Sequence, residues 1–246
     1  MKDIYEIHKK FKKSKYGQKL AGEIRFSCFK PEHISNEEWV KILGADVQNL
    51  YHMDLMKGFT KALLEQASDV SEFEKEILIA LAQIHDWAEA IVGDKAKPKI
   101  TKEDEEKEKI AFEDLLEEFQ IDNPDRKIIL TIIYDTNSRL FKIFKEIEEM
   151  GYLRTALIAW QKSKTAQDSK TKQNLIDLAT CVTSAQIPSL IEKSKNTSQI
   201  AYFLEQNAET INDLLLTQTD PSIATIKQEW DSYKKGRPLK LRRNLP

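Results

Sequence analysis

The sequence predicts an all-α fold, and three observations carry that prediction. Apolar residues recur at spacings of three and four through most of the chain, the period of a helix with one buried stripe. Only seven Gly and seven Pro occur in 246 residues, few breakers for such a length. Residues that cap helices stand just ahead of apolar runs, as at Asn36, Ser71 and Thr101. Hydrophobic residues make up 41% and charged residues 32%, the balance of a folded domain rather than of a disordered segment. The length allows one large domain or a domain with an appended piece. No apolar run approaches a membrane span, and the first residues have no apolar signal core. Cys28 and Cys181 are far apart and lack metal-like spacing, so a reducing cytoplasm is the expected location. A net charge of −2 argues neither for nor against an acidic partner.

Residues 2–22 read as a helix with Ile4, Ile7, Phe11, Tyr16 and Leu20 on one stripe. Lys9, Lys10, Lys12, Lys13 and Lys15 form its solvated face, or a contact for an anion. Residues 22–35 read as irregular, and Asn36 with Glu37 and Glu38 as an N-cap with acids in the first turn. His8 and His33 have no partner at ligand spacing and read as surface residues. Over residues 45–66 the stripe is Val47, Leu50, Tyr51, Leu55, Phe59 and Leu63, with His52 beside it. Ser71 caps a helix over 72–92 with Phe73, Ile77, Leu78, Leu81, Ile84 and Ile91 as core points. After a basic linker, Thr101 and Asp104 resemble a capping box for an acid-rich helix to about residue 119. Asn123-Pro124 punctuates before a helix over 125–134, and Asp135-Thr136-Asn137 forms a turn. A helix over 138–150 follows, with Gly151 as a break or kink before 152–162. Beyond residue 164 three amphipathic segments are readable, at 172–185, 199–216 and 223–233, with Pro188 and Pro221 as boundaries. The tail over 234–246 has six basic residues and no acid. Residues 1–165 are thus expected to form one domain, and residues 166–246 a helical extension packed on it.

The chemistry centres on the stretch from Ile84 to Asp94. It places His85 and Asp86 inside an apolar run, where imidazole and carboxylate groups are costly unless something satisfies them. A metal ion is one such partner, since both groups ligate hard and borderline cations. In a continuous helix Glu89 would lie four residues after His85 and three after Asp86, on the same face. Gly93 would end that helix and Asp94 would sit at its mouth. Trp87 reads as core.

His52, His85-Asp86 and the segment through Glu89 to Gly93-Asp94 resemble the HD-domain phosphohydrolase superfamily, and within it the 5′-deoxynucleotidase branch. The resemblance covers about residues 45–160 and is most specific over residues 85–94. It implies an HD-domain helical bundle with additional C-terminal helices. It also implies one divalent metal ion (Mn, Co, Fe, Zn or Mg) held by His52, His85, Asp86 and a later acid. That acid is Glu148, in Lys145-Glu146-Ile147-Glu148, where the family has Asp; Glu146 and Asp135 are the fallbacks. The resemblance makes Glu89 the acid/base group and Asp94 a substrate-positioning carboxylate. Arg25, followed by Phe26, matches an Arg–aromatic pair for phosphate and sugar, and Lys95 and Lys97 are alternative phosphate contacts. The implied activity is release of phosphate from (deoxy)nucleoside 5′-monophosphates by attack of a metal-bound water. Two alternatives stand beside it: an HD hydrolase of another nucleotide class, and a degenerate HD module that binds a nucleotide or protein without turnover. The expected partner is a small nucleotide or phosphate ester, not a membrane or a nucleic acid; a homodimer is one assembly open to it.

Overall fold

The computed structural model describes residues 4–93, 101–217 and 221–236. Among them are thirteen α-helices and no strand, so the fold is all-α. The one isolated bridge is antiparallel, between Ile24 and Gln48. No described helix is long and apolar enough to cross a membrane. The chain divides into two compact units, Met1–Gly151 and Tyr152–Pro246, and the division falls inside a helix rather than at residue 165.

The first unit opens with α1 (Ile4–Lys13) and α2 (Lys15–Gly22) in place of one helix. Ser14 ends the first and caps the second, its hydroxyl accepting from the Tyr16 and Gly17 amides. Gly17 permits the sharp junction, because a Cβ there would collide with the Phe11 carbonyl. α3 (Asn36–Leu43) is capped by Ser35 instead of Asn36, in a full capping box with Glu38. A 3-10 turn, Ala45–Val47, then leads into α4 (Asn49–Leu64). The buried face of α4 is Asn49, Leu50, His52, Met53, Met56, Thr60, Leu63 and Leu64, while Tyr51 and Leu55 are exposed. The apolar stripe expected there is therefore rotated: the helix turns His52 inward, and Met53 and Met56 are buried on the same helix.

α5 (Glu72–Ala82) starts at the expected Ser71 capping box, but Phe73 is exposed. The helix expected to run on to Val92 stops ten residues early; residues 83–88 are turns, and α6 (Glu89–Val92) is a separate short helix. The bonding there shifts to i→i−3, with Trp87 N to Ile84 O at 3.0 Å and Glu89 N to Asp86 O at 3.1 Å. The tighter winding changes the register, which leaves Ile91 exposed. α7 (Lys102–Glu118) has the Thr101–Asp104 capping box, and α8 (Asn123–Tyr134) begins at Asp122 with Pro in its first turn. α9 (Arg139–Ser163) runs through Gly151 without interruption. Gly151 is there for closeness: a Cβ would lie 2.8 Å from Met56 Sδ.

The second unit contains α10 (Ser169–Lys193), α11 (Ser198–Gln206), α12 (Ala208–Thr217) and α13 (Pro221–Gly236). α10 continues through Pro188, which therefore lies inside a helix rather than at its boundary. The single segment expected over 199–216 is split at Asn207. Leu175, Leu178, Ile187 and Leu190 of α10 are buried, as are Ile200, Leu204, Ile211, Leu214 and Trp230. Trp230 donates to Asn212 Oδ1 at 2.7 Å, tying α13 to α12.

Candidate metal centre

Two elements of the first unit converge on one point. His52 comes from the first turns of α4, His85 and Asp86 from the turns between α5 and α6. One ligating atom from each of the three lies within 4.8 Å of the other two. No other group of three or more His, Cys, Asp or Glu meets that criterion among the described residues.

The hydrogen bonding sets the state of each ring. His85 Nδ1 lies 3.0 Å from the Ala82 carbonyl, which can only accept, so Nδ1 carries the proton. In the neutral imidazole Nε2 is then a bare acceptor. It faces Asp86 Oδ1 at 3.1 Å, another acceptor. Two lone pairs at that distance need a cation between them or an extra proton. Ligands at right angles on an ion with bonds of about 2.1 Å stand about 3.0 Å apart. The residues present therefore fit a divalent cation.

His52 is 2% exposed, and its pKa is lowered to about 4, by burial first and by the Arg25 guanidinium second. It is a neutral imidazole, the form that ligates metals. Its Nδ1 has two neighbours, Asp46 Oδ1 at 3.0 Å and Arg25 Nη1 at 2.5 Å. Burial disfavours the charge of Asp86, but the surrounding cationic groups, Arg25 and Lys145 among them, outweigh it and hold the carboxyl below its usual range.

Arg25 is brought here by backbone pairing. The Ile24–Gln48 bridge, with Arg25 N to Val47 O at 2.8 Å, lays residues 23–25 beside the start of α4. Phe26 follows in the left-handed region (φ 58), and its ring lies 5.4 Å from the guanidinium carbon. Glu89 accepts from Asn49 Nδ2 at 2.5 Å, so it faces the same end of α4 as His52. The oxygen of that amide, Asn49 Oδ1, is buried without a hydrogen-bond partner.

Glu148 is not part of the three-residue group; Lys145 takes its carboxylate at 2.6 Å. Glu146 also lies outside the group, and Asp135 is exposed and accepts the Asn137 amide in its turn. Burial lowers the Lys145 pKa, yet Glu148, Asp86 and Glu108 together raise it. Glu108 in turn is raised by burial and by Asp86. Asp94, Lys95 and Lys97 lie outside the described residues.

The turn carrying His85 and Asp86 is anchored by Trp87, which is core as expected and stacks on Phe11 at 4.3 Å. Trp87 Nε1 donates to His8 Nδ1 at 3.1 Å. His8 is therefore no surface residue; it is 1% exposed, and its Nε2 faces Asp54 Oδ1 at 3.4 Å. His33 is exposed, as expected.

Asp46, Asn49 and His8 are the site's contributors that the sequence reading missed. Their partners are 6, 40 and 79 residues away, and neither a 3-10 turn nor a tertiary contact announces itself by helical spacing. Compared with protein-family models, with curated proteins and with solved structures, the chain finds no match in any of the three.

Proposed function

We propose that this protein is a metal-dependent phosphohydrolase of the HD type, acting as a phosphomonoesterase on (deoxy)nucleoside 5′-monophosphates. The observation that carries the reading is His85 Nε2 held 3.1 Å from Asp86 Oδ1, with His52 beside them. His52, His85 and Asp86 would hold the ion. When bound, a divalent cation neutralises phosphate charge and lowers the pKa of water.

The chain's own groups supply the rest. The Arg25 guanidinium is a planar donor suited to phosphate oxygens. Glu89, held by the Asn49 amide, is the group that moves a proton as water attacks phosphorus and the P–O bond to the sugar breaks. The proton lost by water and the proton gained by the sugar oxygen balance, leaving inorganic phosphate and a nucleoside.

The test loads the protein with Mn or Co and measures phosphate release from a panel of nucleotides. Release from monophosphates that is lost in Asp86→Ala supports the reading. Metal uptake with no release from any member refutes it, and release confined to triphosphates or cyclic nucleotides moves the chain to another nucleotide class. A second reading, binding without turnover, is favoured by one observation: Lys145 occupies the carboxylate of Glu148. Tight nucleotide binding with no phosphate release at any metal would establish it.

A further inference from the structure

We infer that Asp46 is the positioning residue of the metal centre: it accepts the Nδ1–H of His52 and so presents the opposite ring nitrogen to a divalent cation. The inference rests on the metal-centre reading above. Asp46 Oδ1 lies 3.0 Å from His52 Nδ1, with Asp46 4% and His52 2% exposed. A buried carboxylate needs a specific partner, and the sequence motif assigns none to Asp46.

The backbone fixes it in place. Asp46 is the middle residue of the Ala45–Val47 turn, closed by Gln48 N to Ala45 O at 3.1 Å. Gly44 enters that turn at φ 91, a conformation a side chain rarely adopts. Asp46 therefore arrives on a short hydrogen-bonded turn, six residues before the ring it holds.

The proton count requires such an acceptor. A neutral imidazole that ligates through Nε2 keeps its proton on Nδ1, and a buried N–H must be accepted. His85 uses the Ala82 carbonyl; His52 uses a carboxylate, which makes its ring the more basic donor to the ion. The same proton separates Asp46 from Arg25. Arg25 Nη1 sits 2.5 Å from Nδ1 and is a donor only, so a protonated Nδ1 cannot accept from it. Protonation of Nδ1 thus pairs His52 with Asp46 rather than with Arg25.

The test titrates Co(II) into metal-free full-length protein and follows visible absorbance. Five forms are compared: wild type, Asp46→Asn, Asp46→Ala, Arg25→Gln and Arg25→Gln/Asp46→Asn. Affinity is expected to fall about 10-fold in Asp46→Asn and about 100-fold in Asp46→Ala, the range for loss of such an outer carboxylate. Arg25→Gln should not weaken binding, and the Asp46→Asn loss should persist in its background. Nitrogen-15 NMR of the Zn(II)-loaded wild type should show the His52 proton on Nδ1. If the isosteric Asp46→Asn and Asp46→Ala bind Co(II) like wild type, the inference fails while the metal centre stands. If the loss vanishes in the Arg25→Gln background, Asp46 only neutralises Arg25, and the inference again fails. A wild type that takes up no Co(II) overturns the metal centre and the role of Asp46 together.

Discussion

Replacing Trp87 by Phe removes one buried donor from the aromatic cluster that anchors the turn carrying His85 and Asp86. The indole is fully buried, lies parallel to Phe11 within 3° and donates to His8 Nδ1. Phe retains the stack and loses the donor. A stranded buried acceptor costs about 1–3 kcal/mol. The lost ring volume, beside Phe11 at 4.3 Å and Phe119 at 5.4 Å, adds about 1 kcal/mol. The expected destabilisation is therefore about 2–4 kcal/mol, measured by urea unfolding of metal-free protein at neutral pH. His8→Phe/Trp87→Phe removes both partners at once and should recover about 1–2 kcal/mol relative to the sum of the single changes. Because Asp86 immediately precedes Trp87, Trp87→Phe should also weaken Co(II) binding. A cost under about 0.5 kcal/mol, with strict additivity in the double variant, would refute the claim that this hydrogen bond holds the turn.

Three further outcomes are expected. His52 has a folded pKa of about 4 against 6.5 unfolded, lowered first by burial and then by Arg25. Between those values only the unfolded chain takes up the proton, so stability is full above pH 6.5 and falls by up to about 3 kcal/mol towards pH 4. Urea midpoints of metal-free wild type and His52→Gln at both ends of that window check it; parallel losses in the two would contradict it. Asn49→Ala removes the donor to Glu89, a charge-assisted bond of about 1.5–3 kcal/mol, and should slow phosphate release about 10–100-fold with Co(II) affinity unchanged. An equal fall in metal affinity would show that Asn49 acts on the fold instead. Gly151→Ala sets a helix-propensity gain of about 1 kcal/mol against a Cβ 2.8 Å from Met56 Sδ. Thermal unfolding should show little net change in wild type and about 1 kcal/mol of stabilisation in a Met56→Ala background.

The helical class and most helix starts were legible because they depend on neighbours along the chain. Ser71 and Thr101 cap where expected, since a side-chain oxygen, an exposed amide and an acid three residues on are all local. The trio able to hold a metal ion was legible in two ways: a His-Asp doublet has no inexpensive place in an apolar run, and His52 was added by the family resemblance. Helix ends and inner faces were less legible. Nothing local announces that residues 83–88 tighten into turns, or that Pro188 and Gly151 stay inside helices. Tertiary packing outweighs a propensity cost of about 1 kcal/mol for Gly and about 3 for Pro.

By itself, then, the sequence determined an all-α chain and the identity of three residues able to share a metal ion. The tertiary structure decided what surrounds them. It set Asp46 and Arg25 on one nitrogen of His52, gave Asn49 to Glu89, locked Trp87 to His8 and turned Glu148 to Lys145. The physical reason is range. Caps and periodicity are settled within a turn or two of backbone, whereas a buried polar group is satisfied by whatever donor or acceptor the fold brings within 3 Å or so, however distant along the chain.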